Sequence, residues 1–420
     1  MSLYQKASLV QIPSGYKAAD DKLYSVVPNN GDGDFTVTVA AGATRVNKDG
    51  LVETVAADQA RLNYDPTNPQ DPHLLLEPSR TNKQIYSQEL SNSAYLKVGS
   101  TVTADQTTAP DGTLTADKVQ RNTTSASYLR DDIYESTNGY YYSSSFFIKK
   151  GNCDRVAFRL QTNYPDRYDV RFVFSTENVE YNATAGDMTN GSYNIVKYNN
   201  GWYRIELTAK TASDNTAIVP MLSPRVSAGN VDSSDTSSDA FCYSWGWQTE
   251  TSGNTSSSYA TSYIPTTTAA VTRTADNCGD AGNGTIIKAE GSLFADFTTS
   301  NTDNFKRISI TDASDGNNNI FIQLLGTSFA VQVISGGTTL YSWGFSVTLS
   351  DRHKIALRYK DGDSQLYYNG TQQTDTTTSG TWFTDGLLDT FSLNQGSFFN
   401  FYGEIYQTMV FNEALTDSEL

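Results

Sequence analysis

The sequence predicts an all-β protein, and three observations carry that prediction. Turn dipeptides that supply positive φ angles recur from end to end. Asn-Gly occurs at 138–139, 190–191, 200–201, 283–284 and 369–370, and Asp-Gly at 32–33, 49–50, 111–112, 315–316, 361–362 and 385–386. Both pairs suit the tight turns of antiparallel hairpins. The segments between them alternate apolar and polar residues with period two, as half-buried strands do. Composition agrees: 26 Tyr and 19 Phe against only 18% charged residues favour strands and polar turns over helices.

The chain divides into regions in order. Residues 1–84 carry prolines at 13, 28, 66, 69, 72 and 78. Proline density and short apolar runs predict an extended N-terminal arm with a few strands, packed on something else. Residues 85–276 hold enough strand-like runs for one large antiparallel sandwich. Val156, Phe158 and Leu160 share a face, and Tyr203, Ile205 and Leu207 oppose Arg204 and Glu206. Phe241, Tyr243, Trp245 and Trp247 read as one aromatic stripe of core residues. Residues 277–284, Asn-Cys-Gly-Asp-Ala-Gly-Asn-Gly, read as a linker. Residues 285–420 supply a second sandwich, with Ile355, Leu357 and Tyr359 opposing Lys354, Ala356 and Arg358. Thr416 and Glu419 form a capping-box pair that would open a helix at the last residues. A chain of 420 residues fits this division into two or three units.

Charge and cysteine content exclude several function classes. The net charge of −16 repels phosphate backbones unless basic residues are concentrated in a patch. The densest basic run, Arg352 to Lys360, alternates with apolar residues and reads as one strand face, so no nucleic-acid partner is expected. Cys153, Cys242 and Cys278 are odd in number and widely spaced, which argues against a disulfide framework or a zinc site. The N-terminus lacks the apolar run of a signal peptide, and no run of about 18 apolar residues occurs. Folding in a cytoplasm without membrane insertion is the expectation.

Particular wording adds to this reading. Residues 43–82 contain Ala43-Thr-Arg-Val-Asn-Lys-Asp-Gly50, Arg61-Leu-Asn-Tyr-Asp-Pro66 and Leu74-Leu-Leu-Glu-Pro-Ser-Arg-Thr-Asn82. This segment resembles the N-terminal part of a family of bacteriophage virion proteins. Residues 85–276 contain Ala109-Pro-Asp-Gly-Thr-Leu-Thr-Ala-Asp-Lys118, Gly201-Trp-Tyr-Arg-Ile-Glu206, Trp247-Gln-Thr-Glu250, Thr261-Ser-Tyr-Ile-Pro-Thr266 and Val271-Thr-Arg-Thr-Ala-Asp276. They resemble jelly-roll modules of the carbohydrate-binding type. Residues 285–420, with Gly291-Ser-Leu-Phe-Ala-Asp-Phe297, the run 352–370 and Met409-Val-Phe-Asn-Glu-Ala-Leu415, resemble concanavalin-like or laminin-G-like sandwiches. These resemblances imply a virion structural protein of the fibre or decoration type. Its N-terminal arm would dock on other virion proteins, and its sandwiches would display binding surfaces toward host glycans. They also imply a homo-oligomer, with a trimer favoured. Alternatives are a tail-spike glycan depolymerase and a decoration without ligand.

No catalytic residue is assigned. Glycoside cleavage needs two carboxylates roughly 5 to 9 Å apart, and no strand carries a Glu-x-Asp-x-x-Glu run. Glu177 and Glu180 read as loop carboxylates, and His73 and His353 as structural. No cofactor is expected, although the turns Asn29–Asp34, Asp312–Asn317 and Asp361–Asp363 hold oxygen ligands of the kind calcium takes. Glycan recognition calls for exposed aromatic rings beside polar groups. The candidates are Trp343, Trp382 and the cluster Tyr140, Tyr141 and Tyr142.

Overall fold

The computed structural model describes residues 2–13, 22–134, 136–212, 214, 216–254, 259–299, 306–312, 317–349, 351–395 and 399–420. Its strands form antiparallel sheets stacked into two sandwiches. The first sandwich lies within residues 85–276. One sheet runs in the order Ser100–Thr107, Ala116–Arg121, Phe241–Gly253, Tyr141–Lys150, Trp202–Lys210 and Thr189–Lys197. The facing sheet runs Asn178–Ala185, Arg167–Val173, Arg155–Gln161, Ala217–Arg225, Tyr128–Arg130 and Leu96–Val98. Alternation aims Val156, Phe158 and Leu160 into the space between them, where Ile205, Leu207 and Phe146 meet them. Each such side chain stabilises by about 1.5–3 kcal/mol through burial.

The aromatic stripe at 241–247 does not keep one face. Cys242 and Trp247 enter the inner core, whereas Tyr243 and Trp245 pack on the sheet's opposite face with Phe147, Trp202 and Tyr263. The cause is a bulge at Gly246, whose φ is +60°, where the register against Tyr141–Lys150 slips between Ser145 and Phe147. An extra residue reverses the side-chain phase of everything after it. Both faces of this sheet are therefore covered, and Tyr141 to Ile148 are buried without interruption.

The second sandwich is completed by residues that the sequence places in a separate arm. Its larger sheet runs Thr371–Gln373, Gln365–Tyr368, Arg352–Tyr359, Gly291–Thr298, Gly403–Phe411, Asn68–Leu76 and Leu62–Asp65. Leu9–Gln11 pairs with the same edge of Gly403–Phe411, aligning Leu9 with Val410, while Leu76 aligns with Gly403. The N-terminal region thus does not stand off as an arm. The neighbour its apolar runs require is the C-terminal sandwich of its own chain, and an open strand edge is closed by the pairing. Leu9, Phe35, Val37 and Leu74 join Leu293, Ile355 and Trp343 in one core.

The expected linker is also corrected. Asn277–Gly279 is a strand paired with Phe35–Thr38, and Cys278 is buried in the core beside Val37. Glycines here let backbones approach rather than swing free: a Cβ on Gly279 would lie 3.0 Å from Ser392 Oγ. The smaller sheet of this sandwich runs Thr376–Thr377, Thr338–Ser346, Ser328–Ser335, Asn319–Leu325, Lys306–Thr311 and Thr390–Ser392. Asn369 and Gly370, both at positive φ, make the two-residue turn between Gln365–Tyr368 and Thr371–Gln373. At the last residues the capping pair forms, with Thr416 N–H and Oγ–H donating to Glu419, but it closes one turn rather than a helix. Among the described residues, no helix is long and apolar enough to cross a membrane.

Candidate functional site

The residues chosen from sequence as sugar platforms are packed. Trp343, Tyr141 and Tyr142 are buried. Trp343 points into the second core, and Tyr141 receives a hydrogen bond from Asn190 Nδ2 at 2.6 Å. Tyr142 lies in the first core, and its hydroxyl accepts from Thr137 N–H at 3.1 Å. Trp382 and Tyr140 are half-buried against those cores, and the Trp382 indole donates to the Ala289 carbonyl at 2.9 Å. Strand aromatics in a sandwich fill its interior first, so Trp343, Tyr141 and Tyr142 offer no open ring, and Trp382 and Tyr140 expose only part of theirs. Glu177 and Glu180 are taken up in ion pairs with Lys197, Arg155 and Arg171. His353 is buried beside the Tyr368 hydroxyl at 3.1 Å. In the 29–34 turn, Asp34 accepts from Ser25 N–H at 2.9 Å and Asp32 from Asn30 Nδ2 at 2.8 Å. The 312–317 turn lies largely outside the described residues. Among the described residues, no three His, Cys, Asp or Glu side chains are grouped to hold a metal.

A different site is assembled where the two sandwiches and the N-terminal segment meet. It is a cleft of about 980 Å³. One wall is the outer face of the jelly-roll sheet, with Asn194, Tyr198, Arg204 and Glu206; a second is Asn63, Tyr64, Asp65 and His73; a third is Glu404 and Tyr406. Period-two alternation explains the first wall. Tyr203, Ile205 and Leu207 turn inward, which sends Arg204 and Glu206 to the opposite face. That face is covered in turn by the N-terminal hairpin of Thr44–Val46 and Val52–Thr54 and by the segment around Tyr263, so both charged side chains are buried.

The walls are held by polar contacts. Arg204 donates to Ser145 Oγ at 2.8 Å and to the Thr261 carbonyl at 2.7 Å, and lies 3.6 Å from Glu206. Asn194 donates to Glu206 at 3.3 Å. Burial pushes the Glu206 carboxyl upward in pKa, against the pull of Arg204. Across the cleft, Glu404 accepts from Thr298 Oγ1 and from the Tyr406 hydroxyl, both at 2.8 Å, and lies 3.4 Å from His73 Nε2. Asn63 stands 2.9 Å from the same nitrogen. Arg352 stacks 3.7 Å from the Tyr406 ring centroid.

Beneath the floor lies a knot of buried charges drawn from distant parts of the chain. Arg61 donates to Glu77 at 2.7 Å and to the Thr44 carbonyl at 3.0 Å, and pairs with Asp276. Glu77 also accepts from Ser262 N–H at 2.7 Å and Oγ–H at 2.6 Å, and Arg273 stands 3.4 Å away. These side chains come from the wording that stands out in the sequence at 61–82 and 261–276. They tie the exit of the jelly roll to the N-terminal segment.

No family model matches the chain, and no curated protein matches it significantly. Solved structures resemble parts of it. The CBM40 module of Ruminococcus gnavus IT-sialidase, bound to alpha2,6 sialyllactose, is 15% identical over 34% of this chain and 91% of its own, at a TM-score of 0.28. Domain 4 of AbnA, a GH43 extracellular arabinanase from Geobacillus stearothermophilus in complex with arabinotriose, is 15% identical over 34% of this chain and 70% of its own, at 0.27. Mouse laminin alpha1 domains LG4-5 are 9% identical over 71% of this chain and 91% of their own, at 0.25. At such scores no residue of this chain takes its role from them.

The sequence did not point to the cleft as a site. Its walls come from residues 44–52, 63–77, 194–206, 259–263, 299, 327, 347–349 and 403–406, which no single motif joins. The usable signal was the charged pair Arg204 and Glu206 on the far side of an apolar strand face.

Proposed function

We propose that this chain is a glycan-binding structural protein, with the cleft between its sandwiches as the saccharide site. The observation that carries this reading is the cleft itself. Its volume lies in the range of small-molecule sites, and its lining includes the half-buried Tyr64 together with Asn63, Asn194, Asp65 and Glu404. Apolar ring faces with amide and carboxylate groups at their edges match the apolar faces and hydroxyl rims of sugars. The test is binding of the purified chain to a glycan array, repeated with Tyr64→Ala and Asn194→Ala. Unchanged binding by both variants would place any saccharide elsewhere.

The proposed setting is a bacteriophage particle, where the chain would form part of a fibre or decoration. The wording of residues 43–82 supports this. Docking to other virion proteins is assigned to the N-terminal region together with the sandwich it completes, because Leu9–Gln11 cannot leave without opening an edge of Gly403–Phe411. A homo-trimer is the proposed assembly, to be read by sedimentation. Mass spectrometry of purified particles tests the setting; a chain found only in infected cells and never in particles would refute it.

A second reading, glycan cleavage, is favoured by one observation: the buried carboxyl of Glu206 lines the cleft together with Glu404, and burial pushes the Glu206 pKa upward, as a general acid requires. Reducing-end assays on host polysaccharide separate the readings. Release by the wild type that is lost in Glu206→Gln supports cleavage, and no release from a bound polysaccharide supports binding alone.

A further inference from the structure

The charges of the cleft point to the class of saccharide it takes, an inference that rests on the glycan-binding reading above. Two guanidiniums line the cleft, and each is tied to acceptors of the chain, with Arg204 Nε left buried without a hydrogen-bond partner. Arg45 donates to Glu53 at 2.7 Å. Arg204 is bound to Ser145, Thr261 and Glu206. At the rim, Arg352 is held by Asp71 at 2.9 Å and Asp296 at 2.7 Å. Carboxylates are in surplus. Glu77 is balanced from behind the wall by Arg61 and Arg273, Asp71 by Arg352, and Glu206 by Arg204. Asp65 and Glu404 remain, and among the described residues neither is in an ion pair with a lysine or arginine. Among the described residues, the hydrogen bonds that Asp65 accepts come from its own turn, from Thr67 and Asn68.

We propose that the cleft binds uncharged saccharides and rejects those bearing carboxylate or sulfate groups. An anionic sugar entering it meets surplus carboxylates and guanidiniums already paired with the chain's own carboxylates, between low-dielectric walls that strengthen the repulsion. A neutral sugar meets acceptors for its hydroxyl protons, since a carboxylate makes strong charge-assisted hydrogen bonds with such donors. The chain's overall charge of −16 adds to the same discrimination at longer range.

The experiment is a glycan microarray in which neutral oligosaccharides are printed beside carboxylated or sulfated derivatives of the same cores. It is probed with the full chain and with Asp65→Asn. The expected result is at least tenfold stronger signal on neutral spots, with the gap narrowed in Asp65→Asn. Equal or stronger signal on the acidic derivatives overturns the inference while leaving the cleft a glycan site. Silence on spots of both kinds overturns the glycan-binding reading itself.

Discussion

Glu77→Gln tests the buried charge knot. The substitution keeps size and one acceptor oxygen for Ser262 N–H, but it removes the charge that faces Arg61 at 2.7 Å and Arg273 at 3.4 Å. Arg61 is fully buried, so water cannot take over. Breaking one member of such a buried network costs about 3–5 kcal/mol. The titration of Glu77 gives an independent figure. Burial alone would raise its pKa, yet the charges of Arg273 and Arg61 outweigh burial and hold it at about 2 instead of 4.5. A depression of that size is worth roughly 3 kcal/mol at neutral pH. Because the folded pKa is the lower one, this stability is complete above pH 4.5 and is lost as pH falls toward 2. The assay is urea denaturation at pH 7, 4 and 2.5, followed by circular dichroism. Glu77→Gln should be weaker than wild type by about 3 kcal/mol at pH 7, with the difference shrinking through the acid range. A difference below about 0.5 kcal/mol at pH 7, or one constant with pH, would refute the argument.

Three further outcomes follow from the packing. Gly246→Ala places a Cβ 3.0 Å from the Phe147 ring at a φ of +60°. It should cost about 1–2 kcal/mol and alter the near-ultraviolet dichroism of Trp245 and Trp247, and an unchanged spectrum and midpoint would contradict the bulge's role. Deleting residues 2–13 removes the fully buried Leu9 and Val10, worth about 1.5–3 kcal/mol each, and bares the edge of Gly403–Phe411. A lower melting temperature and aggregation in light scattering are expected, and wild-type behaviour would show that the pairing is dispensable. Trp343→Ala should destabilise by about 3–5 kcal/mol, as read by calorimetry, because Trp343 is a core residue; a loss under 1 kcal/mol would return it to the surface.

Much of the local structure was legible in the residues. Asn369 with Gly370 marked a hairpin because positive φ is cheap only for such residues. Val156, Phe158 and Leu160 marked a core face because side chains two apart point the same way. The stripe at 241–247 was misread because one glycine can serve as an ordinary strand residue or as a bulge, and only its partner strand decides. The burial of Trp343, Tyr141 and Tyr142 was not legible because composition shows that an aromatic residue is present but not which side of a sheet it meets. The cleft was out of reach for the same reason, since its walls are separated by more than 300 residues.

The sequence by itself determined the β class, the turns, and the inward faces of strands such as Arg155–Gln161 and Arg352–Tyr359. These depend on backbone preference and alternation, which are local. Only the tertiary structure decided that Leu9–Gln11 and Leu74–Leu76 lie along one edge of Gly403–Phe411, that Cys278 is core rather than linker, and that Arg204 and Glu206 face a cleft. Backbone hydrogen bonds between strands carry almost no side-chain code. Which edge meets which is set by the joint burial of residues far apart in the chain, and that becomes visible only once the whole chain is packed.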